Sequence, residues 1–119
     1  MNQIEKLVKT IIEGIQKKKG SDIVVADLSH IEGTICKNFV VCQGNTPTQV
    51  EAIADSVTET VREKLGEKPL RVAGLRYAQW VAMDYGDVMV HIFVPEMRDY
   101  YDLEHLWADA PIREIPNLD

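Results

Sequence analysis

Asp84 and Asp87 stand three residues apart across a turn containing Gly86, and a carboxylate pair so placed can hold a divalent cation or exchange protons with a substrate. Turns also recruit aspartate to bond their own backbone amides, and that structural use is the commoner one. Asp22 and Asp27 bracket one short apolar run and are too far apart to act together. His30, His91 and His105 fall on separate expected elements, a loop, a strand and a helix, without the short spacings of a zinc site or an accompanying Cys-x-x-Cys. Cys36 and Cys42 are the only cysteines; on one extended strand their separation is roughly 20 Å, beyond disulfide reach, so two free thiols are expected. Lys17-Lys18-Lys19 can contact phosphate or simply end a helix, where cations meet the negative end of the dipole. Gly44-Asn45-Thr46 precedes a helix start but matches neither the P-loop nor the dinucleotide-binding fingerprint. No nucleophile, base and oxyanion hole assemble, so the residues favour a binding module; the enzyme alternative left open is a metal-dependent one using Asp84 and Asp87.

The elements that must position these groups follow from apolar spacing. Ile4, Leu7, Val8, Ile11, Ile12 and Ile15 predict an amphipathic helix over 3–18, with Gly20 as a left-handed cap. Residues 22–28 and 38–43 read as strands. Thr46-Pro47-Thr48-Gln49 is a helix start with an N-cap, a proline at the first helical position and a capping-box Gln49; the stripe from Val50 to Leu65 runs to Gly66. Pro69–Gly74 predicts a short edge strand. Trp80–Phe93 reads as a hairpin, Val81, Met83 and Tyr85 alternating with Trp80, Ala82 and Asp84, then Val88, Val90 and Ile92 with Met89, His91 and Phe93. After it, Pro95 and Glu96 open a helix with Tyr100, Leu103, Leu106 and Trp107 on one face, stopped by Pro111. The expected fold is α/β, a single-domain mixed sheet of about five strands with about three helices, residues 1–111 forming the domain and 112–119 an extended or frayed C-terminal tail.

With 119 residues, 45% hydrophobic and 27% charged, the chain has room for one core. No run approaches the roughly 20 apolar residues of a membrane span, and the N-terminus is unlike a secretory signal, so no membrane association and a cytoplasmic location are expected. The net charge of −6 is concentrated late: residues 67–119 carry five Lys/Arg against ten Asp/Glu. Such a surface does not bind phosphate backbones by bulk electrostatics, so no direct nucleic-acid specificity is expected and a basic protein is the more natural partner.

Three stretches in this order resemble the ribosomal silencing factor (RsfS, Iojap) family: Phe39-Val40-Val41-Cys42-Gln43-Gly44-Asn45-Thr46 with Gln49-Val50, the run Trp80–His91, and Arg98-x-x-Tyr101-x-Leu103-Glu104-x-Leu106-Trp107. The resemblance runs from about residue 3 to 110; one departure is Lys37, where the family often has an acidic residue. It implies a nucleotidyltransferase-like core without catalytic residues, without cofactor or metal. It implies a factor that binds the large ribosomal subunit through its fourteenth protein and blocks joining of the small subunit, damping translation when nutrients are scarce. Carried onto this sequence, the partner-binding residues are Trp80 as anchor, with Asp84, Tyr85, Met89 and His91 as companions. The alternative to this binding role is a metal-dependent nucleotidyltransferase-like enzyme using Asp84 and Asp87, and self-association of the hairpin face, giving a homodimer of the free protein, is the remaining reading.

Overall fold

In a computed structural model describing residues 2–29, 37–101 and 110–117, the chain forms a six-stranded mixed sheet with three helices. In chain order these are α1 (Gln3–Lys17), β1 (Ser21–Asp27), β2 (Asn38–Gln43), α2 (Pro47–Leu65), β3 (Arg71–Ala73), β4 (Trp80–Asp84), β5 (Val88–Phe93), α3 (Pro95–Tyr101) and β6 (Ile112–Ile115). The strand order is β3-β4-β5-β2-β1-β6, with β2 and β5 parallel and every other neighbouring pair antiparallel. The sixth strand lies where a terminal tail was expected. Ile112–Ile115 is extended, but it pairs with β1 from Ile23↔Ile115 to Ala26↔Ile112. Four residues between Pro111 and Pro116 carry too little alternation to announce a strand; the edge of β1 supplies the hydrogen bonds that make it one.

One face of the sheet is covered by α1 and α2. Ile23 and Val25, Val40 and Cys42, Val81 and Met83, and Val88, Val90 and Ile92 meet Leu7, Val8, Ile11 and Ile15 of α1 and Val50, Ile53, Ala54, Val57 and Val61 of α2 in one closed core. Burying an aliphatic side chain of this size is worth about 1.5–3 kcal/mol, so this face carries most of the fold's stability. The helices themselves approach closely at Gly14, where a Cβ would stand 2.8 Å from the Val57 Cα, and Ser56 Oγ donates to the Gly14 carbonyl at 2.7 Å. An ion pair between Lys64 and Glu13 closes the outer side, the ammonium holding the Glu13 carboxyl below its usual range.

The turn from α1 into β1 is built differently from the expectation. Lys19, at φ 59°, adopts the left-handed conformation. Gly20 is needed instead for space, since a Cβ there would lie 2.4 Å from Ile15 Cγ2. Thr46 caps α2 as expected, accepting from the Gln49 amide at 3.1 Å, but Gln49 Oε1 takes the Asn45 amide at 2.7 Å rather than that of Thr46. Gln49 Nε2 also donates to the Lys18 and Lys19 carbonyls at 3.1 and 3.2 Å, tying the start of α2 to the end of α1.

Candidate docking face

The opposite face of the sheet is set by register. Period-two alternation sends Trp80, Ala82 and Asp84 of β4 away from the helices, together with Met89, His91 and Phe93 of β5 and Phe39, Val41 and Gln43 of β2. Pairing then aligns them in rows across the strands: Trp80–Phe93–Gln43, Ala82–His91–Val41 and Asp84–Met89–Phe39. The middle of this face is aromatic. The Trp80 and Phe93 rings stack at 5.2 Å between centroids, Phe39 meets the His91 ring edge-on at 5.0 Å, and His91 lies 6.2 Å from Phe93 and nearly parallel to it. Offset and edge-on pairs of this kind add about 0.5–1.5 kcal/mol each beyond the area they bury.

Trp80 is half-buried and its polar handle is already committed: Nε1 donates to His91 Nδ1 at 3.1 Å. That bond makes Nδ1 the unprotonated nitrogen and places the imidazole proton on Nε2, a buried atom with no hydrogen-bond partner. His91 is only 6% exposed, and burial pushes its pKa down to about 4, so the ring is neutral at physiological pH. His91 therefore cannot offer a charge to a partner. It accepts the indole N–H and so fixes the orientation of the Trp80 ring.

The other expected residues divide between the two faces. Met89 and Asp84 share a row with Phe39 on the aromatic face and both are half-buried. Asp84 Oδ1 accepts the Gly86 amide at 2.8 Å, the turn-closing use that aspartate has in hairpins. Tyr85 points the other way. It is 7% exposed within the helix-covered core, close to Thr58, and burial raises its phenol to about 12. The Thr58 hydroxyl donates to the Ala54 carbonyl at 2.9 Å, and the Tyr85 hydroxyl is buried without a hydrogen-bond partner. Tyr85 shares the alternation of Val81 and Met83, and that pattern already carried its true direction.

Among the described residues no group of three or more His, Cys, Asp or Glu side chains could hold a metal ion. His30, Cys36 and His105 lie outside those residues, as do Leu103, Leu106 and Trp107 of the expected last helix face. Cys42 is buried and its thiol is pushed up to about 12 by burial, which makes it a core residue and a poor nucleophile. Phe39 and the Trp80–His91 pairing are what sequence reading missed. The diagonal offset of Trp80 and His91 across one hairpin was available from the register, but Phe39 reaches them only through the parallel β2–β5 pairing, which leaves no local trace.

A family model described as "Ribosomal silencing factor during starvation" matches residues 1–119. The chain belongs to the ribosomal silencing factor family. Ribosomal silencing factors from Halalkalibacterium halodurans and Bacillus subtilis are similar to it. The first is 36% identical over 114 residues, covering 96% of each chain. The second is 36% identical over 115 residues, covering 97% of this chain and 95% of the relative. A crystal structure of a Chromobacterium violaceum protein superposes with a TM-score of 0.85 at 36% identity, over 90% of this chain and 88% of that one. In this ribosomal silencing factor the run Trp80–His91 is thus the interior hairpin of the sheet, and no described helix is long and apolar enough to cross a membrane.

Proposed function

We propose that the chain binds the large ribosomal subunit through its fourteenth protein and thereby blocks joining of the small subunit, lowering translation when nutrients are limiting. The mechanism is steric: the bound domain occupies space the small subunit needs, with no chemical step and no cofactor. The observation that carries this reading is the contrast between the family's most characteristic run and the core, for Trp80, Met89 and Asp84 stand half-buried on the face turned away from α1 and α2, around the buried Val41, His91 and Phe93. A ring of this size, fixed by a hydrogen bond to a neutral imidazole and stacked on Phe93, loses little freedom on binding and fits an interface anchor. His91 acts through Trp80, and Tyr85 serves the core. The acidic balance of the second half of the chain supports encounter with a basic ribosomal protein. The test is a subunit-joining assay in sucrose gradients. Purified protein is expected to comigrate with large subunits, not small ones, and to reduce the joined peak; comigration with both, or none, contradicts the reading.

A further inference from the structure

The segment that leads into Trp80 is built as tightly as the hairpin, yet it presents apolar side chains to solvent. Gly74–Gln79 connects β3 to β4 across the edge of the sheet. Gly74 has φ +91°, and a Cβ there would stand 2.0 Å from the Trp80 carbonyl oxygen, so the loop is folded directly against the backbone of the anchor residue. Ala78 closes the turn, its amide donating to the Gly74 carbonyl at 2.9 Å, while its own side chain is buried at φ 51°. The Gln79 carbonyl accepts the Val94 amide at 2.9 Å, tying the loop to the end of β5.

At the tip of this braced turn Tyr77 is 71% exposed and Leu75 is 43% exposed, with the Arg76 guanidinium 5.5 Å from the Tyr77 ring centroid. Leu70, Leu75 and Tyr77, which flank β3, are three of the five exposed large hydrophobic residues among those described. Scattered exposed hydrophobics are ordinary, but a turn braced against the backbone of Trp80 that holds an aromatic and a leucine outward is the form of a preorganised contact.

We infer that the Leu75–Tyr77 turn is the second half of the docking face and engages an apolar, polar-rimmed patch of the same ribosomal protein that receives Trp80. This rests on the proposed docking reading. Leu75 enters the apolar patch, Tyr77 adds a flat ring with a hydroxyl that reaches a backbone carbonyl, and Arg76, stacked on that ring, donates to acceptors at the rim. An arginine on a tyrosine can also stack on RNA bases, but the net charge of −6 and the neighbouring leucine favour protein.

Two probes decide it, intact large subunits and the isolated fourteenth protein. The Leu75→Ser/Tyr77→Ala double variant is expected to bind both about tenfold more weakly, with an unchanged melting temperature, since neither side chain packs in the core. Tyr77→Ala alone, at the more exposed position, is expected to weaken both by about threefold, and Ile112→Thr, exposed on the far edge strand, by less than about twofold. Binding of the double variant within about twofold of wild type on both probes overturns the inference and leaves the Trp80 reading standing. Weakening on intact subunits alone assigns the turn to RNA and also overturns it. Absence of wild-type binding to either probe removes the docking reading and the inference with it.

Discussion

The two faces of one sheet are made from the same strands and do opposite work. On the helix side Val81, Met83, Val88, Val90 and Ile92 are fully buried aliphatic or thioether groups without a polar atom that needs a partner. On the other side the same strands carry Trp80, Asp84, Met89, His91 and Phe93, where an indole N–H is used internally and an imidazole N–H is buried unpaired. An unpaired buried group costs about 1–3 kcal/mol, and the helix side carries one as well, the Tyr85 hydroxyl. The difference is one of closure: the aliphatic face is sealed by helices, whereas the opposite face surrounds the buried Val41, His91 and Phe93 with the half-buried Trp80, Asp84 and Met89.

Substitutions that affect the two faces unequally test this contrast. Ile92→Ala empties a closed site in the aliphatic core and is expected to destabilise by about 2–5 kcal/mol in urea unfolding. A loss below about 1 kcal/mol there would mean that the helix side is not the main source of stability.

A smaller effect separates the faces by pH. His91 falls to about 4 in the fold from an ordinary 6.5, so below pH 6.5 the unfolded chain takes up a proton that the folded chain refuses. Stability contributed by the neutral ring is whole above pH 6.5 and declines as pH drops toward 4, by something on the order of 3 kcal/mol. The difference between wild type and His91→Phe, measured by denaturation across that window, isolates this contribution from the other titrating groups. A difference that does not change with pH would place His91 in a more polar setting than its burial indicates.

The smallest shift is at the indole. Trp80→Phe keeps a ring on Phe93 but deletes the donor to His91 Nδ1, and is expected to cost about 1 kcal/mol of stability. Tryptophan fluorescence in the wild type should change as His91 protonates, and a signal indifferent to that titration would break the link between the two side chains.

Much of the architecture was legible because it is written in local spacing. The α1 stripe, the Thr46-Pro47 helix start, the edge position of β3 and the Trp80–Phe93 hairpin all follow from residues within a turn or two of one another. What was not legible depends on partners far along the chain. β6 exists because the edge of β1 pairs it, and Gly20 is constrained by Ile15 rather than by its own φ. The proposed docking face was legible as a stretch, but its internal order was not, since Phe39 enters only through the parallel pairing of β2 with β5. Tyr85 shows the reverse case, because its alternation with Val81 and Met83 placed it in the core while the resemblance offered it as a contact.

The most direct test of the account is the affinity of Trp80→Ala for purified large ribosomal subunits, measured beside its urea stability and beside Ile92→Val as a core control. The account predicts binding weakened by about tenfold or more for Trp80→Ala, beyond what its stability loss explains, with Ile92→Val binding as wild type. Equal binding by Trp80→Ala and wild type would contradict it.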